Sequence, residues 1–380
     1  MSILFLKEFM KNINQNTLSD SLMSFVNSLK KDNSDYQYNI SDYDNLTTAG
    51  KELNLGFSCY ALKIKHILNS DDLEKESKDE WKEYLCSFQT NVEGFPKMSF
   101  YDDKFIKHHK KFSLEKKLKN STKKFLNYTA QRNYLLQKDA LKTFVVAESK
   151  QAISTLNEIG HVSNDIYSEF PKTEKDIYSY LDSFDWNNPW SAGAQFSSLC
   201  LFSSTQIKDN ADILNYLNKY ILTKLDTNSG FYFTGRNIDD NVLINGAMKV
   251  ITGLDWIESG IHYPDKIIDY ILTINPTREA CDLVDLVYCL YKCSKVSKHR
   301  FTEVIKFLEV VEKALFQNYV EKDGAFSYSF NKSQKFYYGL VVTKEKNHAD
   351  LHGTLLLLWA YTLILDLKEK NINKWNIIKP

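Results

Sequence analysis

One repeated unit constrains this chain more than any other feature. It consists of an amphipathic helix, a loop with Gly beside an aromatic residue, and a helix that is apolar on most faces. The loops read Gln89-Thr-Asn-Val-Glu-Gly94-Phe95, Asp226-Thr-Asn-Ser-Gly230-Phe231-Tyr232 and Glu321-Lys-Asp323-Gly324-Ala-Phe326. In each, Gly supplies the left-handed turn that ends a helix and the aromatic residue pins the loop to the core. Apolar helices are predicted near residues 48–68, 138–159, 190–204, 240–257, 279–294 and 350–366. Amphipathic partners precede them near 17–31, 78–89, 174–184, 210–225, 264–274 and 301–319. A helix apolar all round must be covered on all sides. Twelve helices alternating exposed and buried therefore predict an all-α chain with an inner ring of six wrapped by an outer six. An open solenoid builds from the same pairs.

Composition narrows the function classes. Lys plus Arg and Asp plus Glu each number 48 in 380 residues, so no cationic excess exists for a nucleic-acid partner. The 43% hydrophobic and 25% charged fractions exclude a disordered chain, and only 13 Gly and 6 Pro argue against a loop-rich β-sandwich. No run of about 18 apolar residues predicts a membrane span. The start, Met1-Ser-Ile-Leu-Phe-Leu-Lys, is too short in apolar residues for a signal peptide. Six scattered cysteines read as buried reduced thiols and place the expected location in the cytoplasm. Residues 1–380 read as one domain, with a Lys-rich insertion near 102–126 whose Lys104–Lys124 stretch carries nine lysines, His108 and His109.

With these repeats the chain resembles the (α/α)6 toroid superfamily of terpenoid cyclases and protein prenyltransferases. Locally, Gly230-Phe-Tyr-Phe-Thr-Gly-Arg-Asn237-Ile238-Asp239-Asp240 is similar to the Asp-x-Asp-Asp motif of proton-initiated cyclases, with Asn237 in place of the first acid. The resemblance implies a closed toroid with Asp239 as proton donor and Asp240 as its neighbour. Zinc sits in a similar part of prenyltransferase and lanthipeptide-cyclase toroids, which implies Cys281, Asp282 and His352 as a zinc set; with no metal motif in the sequence, the expectation is no cofactor.

If such a ring closes, the first turns of the inner helices meet at one mouth. Those turns carry Trp186, Asn188, Trp190 and Gln195, then Arg236, Asp239, Asp240 and Asn245, then Arg278, Glu279 and Asp282, and finally His348, Asp350 and His352, with Tyr337 and Tyr338 ahead of the last helix. Adjacent carboxylates Asp239 and Asp240 suit general acid/base work, and equally suit capping of a helix start. His348 and His352, four apart, share one face if a helix spans both. Trp186 and Trp190 beside Asn188 and Gln195 make a platform for a sugar ring, or lock the loop to the core. Glu148, Lys150, Gln151, Asn245, Lys249 and Asp285 interrupt the apolar helices, and buried charge is costly unless it is paired or faces a wet cavity. Such a lining is more polar than a hydrocarbon cavity requires. The expected function is acid/base chemistry on a carbohydrate or oligosaccharide by Asp239, Asp240 and His352, of hydrolase, lyase or epimerase type. The alternatives are an isoprenoid enzyme and a non-catalytic helical-repeat binding protein.

Overall fold

Helix caps and apolar periodicity set the elements. The structure, a computed structural model, describes residues 14–32, 34–70, 73, 77–110, 121–124 and 137–379. Its helices are α1 (Gln15–Ser28), α2 (Thr48–Glu52), α3 (Leu55–Ile67), α4 (Lys78–Cys86), α5 (Asp103–Lys110), α6 (Gln137–Glu158) and α7 (Glu174–Asp182), then α8 (Pro189–Gln206), α9 (Ala211–Leu222), α10 (Asp240–Trp256), α11 (Pro264–Ile271), α12 (Ala280–Val296), α13 (Phe301–Phe316) and α14 (Leu351–Leu367). The described chain is therefore mostly helical. Antiparallel two-residue strands form three small hairpins: β1–β2 (Gln89–Thr90 with Ser99–Phe100), β3–β4 (Tyr319–Val320 with Ala325–Phe326) and β5–β6 (Phe336–Tyr337 with Leu340–Val341). These hairpins occupy loop segments that carry no strand signal in the sequence.

The expected helix near 48–68 is two helices. Leu53 is extended, and the buried Asp102 accepts from the backbone N–H groups of Asn54 (2.7 Å) and Leu55 (3.4 Å). A carboxylate from a distant segment thus starts α3, a cap that local sequence does not reveal. Of the Lys-rich segment, α5 is described and buries Phe105 and Ile106. Residues 111–120 and 125–126 lie outside the described residues.

The long apolar helices pack in a fixed sequence of neighbours. Contacts join α3 to α6, α6 to α8, α8 to α10, α10 to α12, α12 to α14, and α14 back to α3. The amphipathic helices lie against them: α4 on α6, α7 and α9 on α8, α11 and α13 on α12, and α13 also on α14. Helices α8 and α10 come close together at glycines. A Cβ on Gly246 of α10 would stand 2.6 Å from Pro189 of α8, and one on Gly193 would stand 3.0 Å from the Gly246 carbonyl oxygen. Gly94, Gly230 and Gly324, the glycines of the three repeat loops, all have positive φ. Among the described residues, no helix is long and apolar enough to cross a membrane.

Candidate active site

Polar residues that interrupt the apolar helices meet in the interior. His352, on the first turn of α14, stacks on Tyr60 of α3 with ring centroids 4.7 Å apart and planes 4° apart. It also stacks on Tyr328 at 5.2 Å and 26°. Both rings therefore pack against the imidazole. Burial, then the charge of Lys249, pushes its pKa down to about 3, and its Nδ1 has no hydrogen-bond partner. Tyr328 donates from its hydroxyl to Cys281 Sγ (3.0 Å), and burial raises that thiol to about 11.

Glu148 of α6 is 1% exposed. The Tyr337 hydroxyl donates to its Oε1, while Oε2 has no partner. Burial raises Glu148 to about 8 against the lowering effect of the Tyr337 hydrogen bond. It therefore holds a proton at neutral pH. Tyr60 links the two ends of the cluster, since its ring touches His352 and its hydroxyl, raised mainly by burial, also feels Glu148.

The hairpin β5–β6 aims Tyr337. Its two turn residues, Tyr338 and Gly339, both have positive φ (45° and 84°), the conformation of a type I′ turn. Glycine adopts it freely and tyrosine does so at a cost, a kind of strain that concentrates at functional sites. The Tyr338 ring packs on Phe144 (5.1 Å) and Tyr337 (4.9 Å) and is 47% exposed, although protein surrounds it closely enough for burial to raise its hydroxyl pKa. Gly56 on α3 makes room for the Tyr337 hydroxyl, since a Cβ there would overlap it at 1.8 Å. Gly56→Ala is expected to force Tyr337 off Glu148 and to cost about 1–3 kcal/mol of stability in denaturant titration. An unchanged unfolding midpoint would refute this packing.

A second polar group adjoins the first. With its amide turned toward its acceptors, Asn245 of α10 donates to Asn241 O (3.0 Å) and to Asp285 Oδ2 of α12 (2.7 Å). Asp285 is 3% exposed, and burial lifts it to about 7 even though Lys249 acts to lower it. Asp350, fully buried, caps α14 through Gly353 N (2.8 Å) and also accepts from Tyr328 N (2.8 Å) and Gln334 N (3.0 Å). It ties the loop bearing Tyr328 to the helix bearing His352.

The residues singled out from sequence divide sharply. His352, Asn245, Cys281 and Tyr338 belong to this interior. Asp239 and Asp240 stay exposed: Asp239 caps α10 by accepting from Asn241 N (2.9 Å), and Asp240 accepts from the Tyr270 hydroxyl (2.5 Å). Neither is among the charges that act on His352. Trp186 is packed away and donates to Leu181 O (3.0 Å), whereas Trp190 is 48% exposed. Gln195 is buried, accepting from the Tyr180 hydroxyl (2.8 Å), and Asn188 is an exposed helix cap. Arg236, Arg278 and Glu279 are exposed; Arg278 lies over Phe330 and Glu279 accepts from the Ser329 hydroxyl.

His348 does not share a helix face with His352, because Asp350 starts the helix after it. His348 instead faces Asp323 (3.2 Å) and Asp44 (3.6 Å). Asp282 is turned to the Thr277 hydroxyl (3.0 Å). Among the described residues, the group whose ligand atoms converge as a metal site requires is Asp42, Asp44 and His348, at the surface beside Lys346. Cys281, Asp282 and His352 do not form such a group.

Glu148, Lys150, Gln151, Lys249 and Asp285 are readable in sequence only as interruptions of apolar runs. Tyr60 and Tyr328 carry no signal, since a tyrosine in a buried helix or a loop reads as packing, whereas Tyr337 stands beside Tyr338 ahead of the last helix. No protein-family model, curated protein or solved structure matches the chain.

Proposed function

We propose that this chain is a general acid/base enzyme of lyase or epimerase type, acting on a carbohydrate ring held inside a closed (α/α)6 toroid. The cyclic order of neighbours among α3, α6, α8, α10, α12 and α14 supports closure. The resemblance to toroid cyclases rests on the same alternation of helices. One observation carries the functional reading: two groups of one interior are driven to opposite protonation states, each with an unpartnered atom. Glu148 keeps a proton with Oε2 free, and His352 stays a neutral imidazole with Nδ1 free. Titratable groups whose environments push their pKa values apart are the pattern of an acid and a base.

In the proposed reaction Glu148 donates its proton to the oxygen where charge develops or departs, and His352, once the negative charge of a bound substrate offsets Lys249 and restores its basicity, takes a proton from the carbon beside a carbonyl or carboxylate. The half-exposed ring of Tyr338 offers a stacking surface for a sugar ring. A second reading, an isoprenoid cyclase, draws on the aromatic wall of Phe57, Phe105, Phe144, Tyr60 and Tyr337. Lys150, Lys249, Asn245 and Asp285 weigh against it, since a hydrocarbon gains nothing from them and leaves them desolvated.

Incubating the chain in D2O with aldoses, uronic acids and their oligomers tests the acid/base reading by mass spectrometry and by ultraviolet absorbance of unsaturated products. Deuterium on carbon, or an unsaturated sugar, is the expected result. Turnover of a prenyl diphosphate with the sugars untouched would transfer the case to the second reading.

A further inference from the structure

Three loops far apart in the chain meet at His348. Asp42 and Asp44 lie in the segment ahead of α2, Asp323 lies in the turn of the β3–β4 hairpin, and His348 precedes α14. Bridges of Ser41 with Asp350 and of Leu46 with Thr343 hold the first loop against the last. A carboxylate oxygen of Asp42, one of Asp44 and a ring nitrogen of His348 all lie within 4.8 Å of one another.

The imidazole is braced from behind. Its Nδ1 stands 3.2 Å from Asp323 Oδ2, and that carboxylate is itself fixed by accepting from Ala349 N (2.7 Å). On the other side Nε2 faces Asp44 Oδ1 at 3.6 Å, too far for a hydrogen bond. Two ligands about 2.1 Å from one ion stand roughly 3–3.5 Å apart, close to that separation. A carboxylate behind one ring nitrogen, with the other nitrogen facing further ligands, is how proteins orient a histidine toward a metal. Asp323 is not one of the three converging residues, so its contact with the ring is a separate observation.

The neighbouring ammonium groups leave these ligand atoms open. Lys346 Nζ holds Asp44 by Oδ2 (2.9 Å), not by the oxygen nearest His348, and Lys344 Nζ donates to the Asp44 main-chain carbonyl (2.7 Å). Lys322 Nζ is 3.3 Å from both ring nitrogens, and a group equally far from both lies along the lone pair of neither. Asp42 accepts from Asp44 N (3.0 Å) through Oδ1.

We infer that Asp42, Asp44 and His348 bind one divalent transition-metal ion, zinc or manganese, with Asp323 positioning the imidazole. One imidazole and two carboxylates suit these ions, whereas calcium takes about 6–8 oxygens. Water completes the coordination. The ion ties the segment ahead of α2 to the loop whose Asp350 starts α14. Its role is to hold loops together, and the acid/base chemistry at Glu148 and His352 does not draw on it.

The full chain, stripped of metal by a chelator and dialysed, is titrated with zinc chloride, manganese chloride and calcium chloride. Calorimetry and the thermal midpoint are the readouts. Zinc or manganese is expected to bind at one ion per chain, at least tenfold tighter than calcium, and to raise the midpoint. His348→Ala and Asp44→Asn are each expected to weaken that binding at least tenfold, and Asp323→Asn by about 10–100-fold. Lys346→Met is expected to bind more tightly than the wild type, because no ammonium then competes for Asp44. The inference is overturned by no saturable binding of either ion, by binding that His348→Ala leaves within about threefold of the wild type, or by calcium binding equally well. Should His348→Ala fail to fold, Lys346→Met decides: binding weaker than that of the wild type would overturn the site, since an ion-pair network alone gives the lysine no metal to compete with.

Discussion

Glu148→Gln is expected to lower turnover by about 10²–10⁴-fold, the usual worth of a positioned general acid, and to reshape the dependence of stability on pH. Burial raises Glu148 from its ordinary 4.5 to about 8. Between those values the folded chain keeps a proton that the unfolded chain has released. Its contribution to stability is thus fully present below pH 4.5 and is lost as the pH climbs toward 8. Every tenfold gain in proton affinity corresponds to about 1.4 kcal/mol, so the loss is on the order of 5 kcal/mol. Glutamine keeps the shape and the acceptor for Tyr337 but has no proton to lose. The variant is expected to match the wild type below pH 4.5 and to be the more stable of the two above pH 8. Denaturant titrations across that range decide the matter: two parallel curves would show that Glu148 is not a buried, protonated acid. The comparison is made against the variant because Asp285, raised to about 7, and Asp350, raised to about 6, tilt the wild-type curve in the same direction. His352, lowered to about 3, tilts it the other way, losing stability as the pH falls through 6.5.

Asp350→Ala is expected to destabilise the chain by on the order of 4 kcal/mol. The substitution orphans the backbone N–H groups of Tyr328, Gln334 and Gly353, all of which donate to this one carboxylate in a fully buried setting. An unsatisfied buried donor costs about 1–3 kcal/mol. Asp350→Asn retains one accepting oxygen and places an NH2 against the remaining donors, so its cost is expected to be about half as large. The order Asp, Asn, Ala in the unfolding midpoint checks the assignment. An alanine variant within about 0.5 kcal/mol of the wild type would mean that water replaces the carboxylate and that the Tyr328 loop stands by itself. The site shares this fate, because Tyr328 is one of the two rings that hold the His352 imidazole.

Much of the fold is legible in the residue pattern, and less of the site. Helices expected near 138–159, 240–257 and 350–366 occur at 137–158, 240–256 and 351–367, because a 3.6-residue apolar period and its caps act over a few turns of one segment. Where a distant group intervenes, local reading fails. Asp102 divides the helix expected at 48–68, and Asp350 removes His348 from the helix that carries His352. At Asp239, local physics prevails, and the carboxylate caps its own helix. Glu148 is the converse case: its sequence shows only an acid amid apolar residues, and its proton depends on burial by segments far away in the chain, which outweighs the hydrogen bond from Tyr337, a residue 189 positions away.

By itself the sequence determined which segments are helices, which helices are apolar enough to need cover, and where glycines turn the chain between them. These follow from the spacing of side chains along one backbone. Tertiary structure alone decided that Tyr60, Glu148, Lys249, Asp285, Tyr328 and His352 share one interior. It also decided their charge states, since desolvation and hydrogen bonding act through space, between residues that the order of the chain keeps far apart.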